Sequence, residues 1–229
     1  MPEDVLVIGA GPAGLASAYY LARAGISYRV VDKADVVGST WAGLYPSLRL
    51  NTTRFFSHLP ELKFPLRWGI FPTGRDYHSH LVEFARRHPL NITLGVDVHH
   101  VTPENGGWRV ESSEGSAWYP AVISASGRFC NPIMPQLQGL DAFSGEVLHA
   151  CGFRGAVPFA DKRVLVVGNG PSGVDIAIAI GEVAPQPPML SVRTGLDLRP
   201  RYPLGLPKHA WVMIAERLPQ KWGQGRLHN

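Results

Sequence analysis

The chain has 229 residues, of which 45% are hydrophobic and 17% charged, so its composition is that of a compact folded protein and excludes predominant disorder. Lysine and arginine number 22 against 18 acidic residues, and the formal charge of +4 suits an anionic ligand such as a phosphate. No dense basic run is present, which argues against nucleic acid as a partner. The length allows one large domain or two small ones, and we expect two.

The two cysteines, Cys130 and Cys151, form no CxxC pair, so we predict neither a dithiol redox centre nor a metal site. Few cysteines also favour a reducing, cytoplasmic location. Acidic Glu3 and Asp4 stand where a signal peptide needs basic residues. No uninterrupted apolar stretch reaches the roughly 18 residues of a membrane helix. We therefore expect a cytoplasmic protein without a membrane span.

The N-terminal segment predicts a strand, a tight turn, a helix and a second strand. Val5–Ile8 is a continuous apolar run, and residues 15–22 have apolar side chains at helical spacing. Tyr28–Val31 is the second apolar run, and it ends on Asp32. This order is that of a βαβ unit.

The turn of this unit carries the pattern GxGxxG, whose three glycines have separate roles. The first permits the turn, the second lets the backbone approach a pyrophosphate, and the third allows the helix to pack closely on the strand. The helix N-terminus then offers free N–H groups to the phosphate, and an acid after the second strand accepts hydrogen bonds from ribose hydroxyls. We predict a dinucleotide site; a glycine turn that has lost its ligand is the alternative. The expected ligand-binding residues are Gly9, Gly11, Pro12, Ala13, Gly14, Asp32 and Lys33.

The middle of the chain begins irregularly and then returns to regular elements. Residues 35–75 are rich in aromatic residues and proline, and long ordered loops of this kind are usually functional. Apolar spacing predicts a helix over 76–87, and short apolar runs predict strands at 92–95, 107–111 and 119–125. We expect an αβ unit with a small antiparallel excursion.

The opening pattern recurs after residue 160. Arg163–Val167 is an apolar strand candidate, a second GxGxxG turn opens a helix over 174–180, and another short strand ends at Arg193. A guanidinium there pairs with a 2′-phosphate, which a carboxylate would repel, so this site should prefer NADPH; a solvated strand-end arginine is the alternative. The expected ligand-binding residues are Gly168, Gly170, Pro171, Ser172, Gly173, Arg193 and Thr194.

Two dinucleotide sites in one chain imply hydride transfer between two cofactors, since a single substrate dehydrogenase needs only one. Asp32 fits an unphosphorylated ribose, as in FAD. The pair of FAD first and NADPH second is therefore expected.

Several short motifs resemble those of the class B flavoprotein monooxygenases. Phe143–Phe153 fits FxGxxxHxxx(Y/F/W) between the two glycine motifs, Gly38–Trp41 resembles GGxW with Ser39 in place of the second glycine, and Ser124–Gly127 resembles ATG. Leu48–Pro60 is similar to a stretch of the flavin-containing monooxygenases and their YUCCA-type relatives. The resemblance covers residues 4 to about 205, and Ser39, Thr40, Trp41 and Val98 join the expected cofactor-binding residues.

The resemblance implies an FAD- and NADPH-dependent monooxygenase that uses O₂ to oxygenate a nitrogen or sulfur of a small molecule through a flavin hydroperoxide. Asn51 is the candidate catalytic residue, as a hydrogen-bond donor to the flavin peroxide or the nicotinamide. Baeyer–Villiger relatives carry an acid there, so Asn51 favours N- or S-oxygenation. A Baeyer–Villiger enzyme and a nucleotide-binding module without turnover are the alternatives; a disulfide reductase is disfavoured because a CxxC pair is absent.

Three aromatic residues and one histidine have two interpretations each. Trp41, Tyr45 and Phe55 either line the flavin pocket or form loop core. His149 is interpreted as organising the hinge between the two units and not as a base.

The predicted fold class is α/β, with two Rossmann-like, doubly wound, three-layer dinucleotide-binding domains, the second nested in the first and incomplete. We expect residues 1–155 to be the N-terminal part of the FAD-binding domain and 156–229 a partial NADPH-binding domain. Only one helix, at 208–218, is predicted after Arg193, so the C-terminal completion of both domains is expected to be absent. The sequence is compatible with a homo-oligomer and does not fix the oligomeric state.

Overall fold

A computed structural model describes residues 3–127 and 131–193 and the single positions 195, 202, 205, 207 and 211. Thr194, Cys130 and all but one residue of the helix expected at 208–218 lie outside this part. In chain order the helices and strands are β1 Val5–Ile8, α1 Pro12–Arg23, β2 Tyr28–Asp32, α2 Ser39–Ala42, α3 Arg54–Ser57, α4 Gly74–Arg87, β3 Ile92–Leu94, β4 Val98–Glu104, β5 Gly107–Ser112, β6 Gly115–Tyr119, β7 Ala121–Ser124, β8 Leu165–Val167, α5 Pro171–Gly181 and β9 Met189–Ser191.

The first unit is built on a parallel sheet with strand order β3-β2-β1-β7. Val7 and Val30 face a helical layer that includes Ala18 of α1, whereas Leu6 and Val31 face the opposite layer. A strand with a packed layer on each face of its sheet is apolar at every position, and for this reason the sequence of β1 is an unbroken apolar run. The three-layer α/β architecture and the first βαβ unit are confirmed.

The third layer is an antiparallel meander with strand order β4-β5-β6. The expected antiparallel excursion is present, but the strand expected at 119–125 is wrong as a single element. Tyr119 ends β6 and Ala121 begins β7, because Pro120 between them has no N–H to donate to a sheet. β4 was not expected, since its sequence of two histidines and Pro103 lacks a clear apolar alternation.

The aromatic segment between residues 35 and 75 folds against α4. Leu50, Leu59 and Phe64 from this segment share a core with α4 and α1, and Trp41 packs against it. α4 begins at Gly74, two residues before the expected start. Thr73 and Asp76 form a capping box there: the Thr73 Oγ1 accepts from the Asp76 N–H at 3.1 Å, and the Asp76 carboxylate accepts from the Thr73 N–H at 3.0 Å.

The second unit repeats the start of the first. β8 and β9 pair in parallel and α5 connects them, as the recurring pattern predicted. Its core contains Phe153, Ile176 and Ile180, joined by Tyr45 from the first unit. None of the helices in the part of the chain that the structure describes has the length and hydropathy needed to cross a bilayer.

Candidate dinucleotide-binding sites

The first glycine turn places its three glycines in three different environments. Gly9 has a φ of 111°, and a methyl group on it would overlap the carbonyl oxygen of Ala125. A methyl group on Gly14 would overlap the carbonyl oxygen of Gly9. A methyl group on Gly11 would have no heavy atom within 4 Å. The first and third glycines are therefore required by the fold, while the second faces open space where a pyrophosphate can approach.

The N-terminus of α1 opens toward the same space. Gly11 is its N-cap and makes no side-chain capping bond, and Pro12 is its first residue. The first turn contains no acidic residue, and Ala13 is exposed. Uncapped N–H groups and the positive end of the helix dipole are thus available to an anion.

Asp32 lies at the end of β2, close to this turn. Its Oδ2 accepts a hydrogen bond from the Ala10 N–H at 2.7 Å, and its Oδ1 accepts one from the Ala34 N–H at 2.9 Å. Each carboxylate oxygen has a further lone pair, so both can still accept from ribose hydroxyls. Lys33 is exposed beside it.

The second glycine turn resembles the first except at its first glycine, because a methyl group on Gly168 would have no heavy atom within 4 Å. Gly168 has a φ of 104°, a methyl group on Gly173 would overlap the Gly168 carbonyl, and Gly170 faces open space. α5 starts at Pro171 without a side-chain cap, and Ser172 is exposed.

The charged residue at or just beyond the end of the second strand distinguishes the two units. The Gly168 N–H donates to the Ser191 carbonyl at 2.8 Å, as the Gly9 N–H donates to the Val31 carbonyl at 2.7 Å. Val31 is followed directly by Asp32, and Ser191 is followed two residues later by Arg193, which is exposed. Opposite charges therefore stand near corresponding ends of the two strand pairs.

The Gly38–Trp41 motif contacts the first turn. Gly38 has a φ of 66° and its N–H donates to the Ala10 carbonyl at 3.0 Å. In α2, Ser39 is half-buried and Thr40 is exposed. The Trp41 ring meets the Tyr77 ring edge to face, with centroids 4.4 Å apart, so Trp41 is in part loop core.

A cavity of about 310 Å³ lies beside Trp41. It is lined by Trp41, Leu50, Thr52, Phe56, Ser57, His58, Leu59 and Tyr77. Asn51 is exposed and lies in sequence between two of these residues. The candidate catalytic residue is thus adjacent in sequence to the cavity wall but is not one of the residues that line the cavity.

Three other expected residues lie elsewhere. Tyr45 is buried in the core of the second unit, and Phe55 is 64% exposed with the Arg54 guanidinium 5.6 Å from its ring centre. Val98 begins β4 and packs between the sheet and the meander. Neither Tyr45 nor Phe55 lines the cavity.

Two motifs of the linker and of β7 have structural roles. The His149 Nδ1 accepts a hydrogen bond from the Cys151 N–H at 3.1 Å, which caps a short turn leading to the buried Phe153. The Ala125 N–H donates to the Ile8 carbonyl at 2.8 Å, which places Ser124–Gly127 against the first glycine turn.

His80 is a residue that the sequence did not single out. It is 2% exposed, and its Nε2 accepts a hydrogen bond from the Leu59 N–H at 3.1 Å. Burial, together with the nearby His58 and Arg87, lowers the pKa of His80 to about 4. Only the spacing of His80 three residues after Tyr77 on the buried face of α4 could have indicated this position.

These observations define an α/β protein with two turns shaped for dinucleotides. The sequence profile of the pyridine nucleotide-disulphide oxidoreductase family matches residues 6–186, and the chain belongs to that family.

Similar proteins narrow the relationship to monooxygenases. The chain is 33% identical over 211 residues to a probable indole-3-pyruvate monooxygenase, YUCCA8, of Arabidopsis thaliana, covering 87% of this chain and 49% of that protein. A flavin-containing monooxygenase from Stenotrophomonas maltophilia superposes with a TM-score of 0.82 at 28% identity, over 94% of this chain and 63% of that one. The chain thus spans about half the length of the YUCCA relatives it matches. The expected relationship to flavin-containing monooxygenases, and with it an oxidoreductase family, is confirmed.

The expected cofactor pair also agrees with these similarities. The structure of OTEMO in complex with FAD and NADP superposes with a TM-score of 0.66 at 26% identity, over 83% of this chain and 38% of that one. FAD and NADPH are the cofactors of the family to which this chain belongs.

Proposed function

We propose that this protein acts as an FAD- and NADPH-dependent monooxygenase that transfers one oxygen atom from O₂ to a nitrogen or sulfur of a small molecule. FAD would occupy the turn at Gly9–Gly14 and NADPH the turn at Gly168–Gly173. The observation that carries the proposal is the repeated turn in which the middle glycine, Gly11 or Gly170, faces open space while the third, Gly14 or Gly173, packs against a carbonyl oxygen. The residues fit both cofactors, because uncapped helix N-termini and close backbone approach are what two pyrophosphates require.

The unequal charges of Asp32, at the end of β2, and Arg193, two residues beyond β9, support this placement of the cofactors. Asp32 accepts ribose hydroxyls but would repel a 2′-phosphate, so its turn suits FAD. Arg193 is exposed and is able to pair with the 2′-phosphate of NADPH.

When bound, FAD supplies the oxygen-activating chemistry. The protein must bind and orient the substrate and exclude water. Asn51 would hold the flavin edge or the nicotinamide by a hydrogen bond, and the cavity beside Trp41 would receive the substrate. The aromatic and hydroxyl-bearing walls of the cavity suit a small molecule with both apolar and polar parts.

The proposal is tested by purifying the protein with FAD and adding NADPH under air with a thioether, a tertiary amine or a ketone. We expect a yellow protein that consumes NADPH and forms an S- or N-oxide. Asn51→Ala should uncouple NADPH consumption from product and release hydrogen peroxide. A colourless protein would instead indicate a nucleotide-binding module, and ester formation from the ketone would indicate Baeyer–Villiger chemistry.

A second prediction concerns the preference for NADPH. Arg193→Ala should lower the ratio of kcat/KM for NADPH to that for NADH by about tenfold or more, since a charge-assisted hydrogen bond contributes about 1.5–3 kcal/mol. Arg163→Ala is the matched control, because Arg163 is exposed just before β8, at the opposite end of the same strand pair. An unchanged ratio in the Arg193 variant would mean that this arginine is only a solvated residue.

A further inference from the structure

The segment from Gly38 to Leu48 connects the two glycine turns. At its start, the Gly38 N–H donates to the Ala10 carbonyl in the first turn. Toward its end, Tyr45 enters the core of the second unit together with the partly buried Leu48. We call residues 38–48 the connecting segment.

Tyr45 is packed as a core residue of a unit to which it does not belong in sequence. It is 5% exposed, and its ring meets that of Phe153 edge to face, with centroids 5.3 Å apart. The same core contains Ile176, Ala179 and Ile180 of α5, the helix that follows the second glycine turn. The contact between the two units therefore falls on the helix that would carry NADPH.

The Tyr45 hydroxyl adds an electrostatic contact with that helix. The hydroxyl oxygen is buried, and among the described residues no partner meets the distance and angle of a hydrogen bond to it. The Asp175 carboxylate of α5 is nevertheless close enough to interact with it electrostatically. The pKa of Tyr45 is raised to about 12, mainly by burial and to a smaller extent by the negative charge of Asp175. The hydroxyl therefore stays protonated at neutral pH, with its dipole free to orient toward the carboxylate.

We propose that Tyr45 is a positioning residue that fixes the second glycine turn relative to the first through the connecting segment. In the enzyme, this would hold the nicotinamide at the distance and angle that hydride transfer to flavin needs; this consequence rests on the function proposed above. Two domains in one chain are expected to move relative to each other unless a large apolar contact between them prevents it. Misplacement by about 1 Å can lower a rate by about 100-fold.

The experiment measures position and rate separately in FAD-bound protein with NADP⁺ present. Spin labels are attached at Val82→Cys and Ile178→Cys, both exposed positions on α4 and α5, with Cys130 and Cys151 replaced by serine. In Tyr45→Leu, which keeps apolar volume, we expect the inter-label distance distribution to broaden about twofold. Tyr45→Phe retains the ring and should broaden it less.

In the same variants without labels, we expect the limiting rate of anaerobic flavin reduction by NADPH to fall by about tenfold or more in Tyr45→Leu, with the Kd for NADPH within about twofold. Ile180→Val is the matched control: it weakens the same core while every residue of the connecting segment is kept, so it should lower stability but change neither distance nor rate.

An unchanged distance distribution in Tyr45→Leu would overturn the positioning role. So would an equal broadening in Ile180→Val, since the effect would then be general loss of packing. If flavin reduction is absent in the unsubstituted protein, the proposed function fails, while the same distance measurement without added cofactors still decides the role of Tyr45.

Discussion

Gly11→Ala should leave the protein folded and weaken FAD binding by at least about tenfold, whereas Gly14→Ala should destabilise the fold itself by about 3 kcal/mol or more. The two substitutions add the same methyl group three residues apart. At Gly11 the methyl meets nothing within 4 Å of protein and would occupy the space of a pyrophosphate. At Gly14 it meets the Gly9 carbonyl, and backbone cannot yield as a flexible side chain can.

Urea denaturation without ligand measures the stability of both variants, and fluorescence titration with FAD measures binding. Gly25→Ala is not a neutral control, because Gly25 has a φ of 68° that a side chain resists. Gly170→Ala is the better comparison, since it should spare FAD binding and weaken NADPH instead. FAD affinity equal to that of the unsubstituted protein in Gly11→Ala would show that the ligand does not approach this backbone.

The free energy of unfolding should fall by up to about 3 kcal/mol between pH 6.5 and pH 4 because of His80 alone. Its pKa is about 4 in the folded protein and about 6.5 in the unfolded chain, so the unfolded state binds more protons in this interval. The stabilising contribution of the neutral imidazole is present above pH 6.5 and is lost as the pH falls toward 4. Protonation also removes the lone pair that accepts from the Leu59 N–H.

His80→Gln isolates this effect, because a glutamine amide oxygen can accept the same hydrogen bond without titrating. We expect its stability to change less with pH than that of the unsubstituted protein across this interval, measured by urea denaturation at several pH values. His100→Gln is the matched control on the exposed face of β4 and should follow the unsubstituted curve. Parallel curves for His80→Gln and the unsubstituted protein would contradict the assignment.

Local features of the fold could be predicted from the sequence, while contacts between distant segments could not. Both glycine turns and the end of β2 at Asp32 follow from patterns contained within about 30 residues. The burial of Tyr45 depends on a contact with Phe153 and α5, far along the chain, and no periodicity in residues 35–75 indicates which aromatic residue is buried there. Pro120 alone could have indicated the division of strand 119–125, but not that Tyr119 and Ala121 belong to different sheets.

The residues of the candidate site likewise include some that the sequence predicts and others that it does not. Gly11 and Gly170 lie where the pattern predicts, because each glycine role depends on its own turn. The assignments of Asn51, Val98 and Arg193 to roles toward a cofactor stay predictions, since they depend on where a ligand lies. His80 was not predicted, although its spacing from Tyr77 places it on the buried face of α4, because a histidine among apolar residues does not by itself indicate a function.

The hydrogen bonds of Asp32 have an entropic consequence for ligand capture. The carboxylate is held by the N–H groups of Ala10 and Ala34, so its rotation and the shape of the first turn are fixed without any ligand. A dinucleotide that arrives at this turn does not have to order it and loses less binding free energy to restricted motion. The carboxylate thus stabilises the turn itself, and we expect its removal to loosen the turn in addition to weakening the binding of ribose.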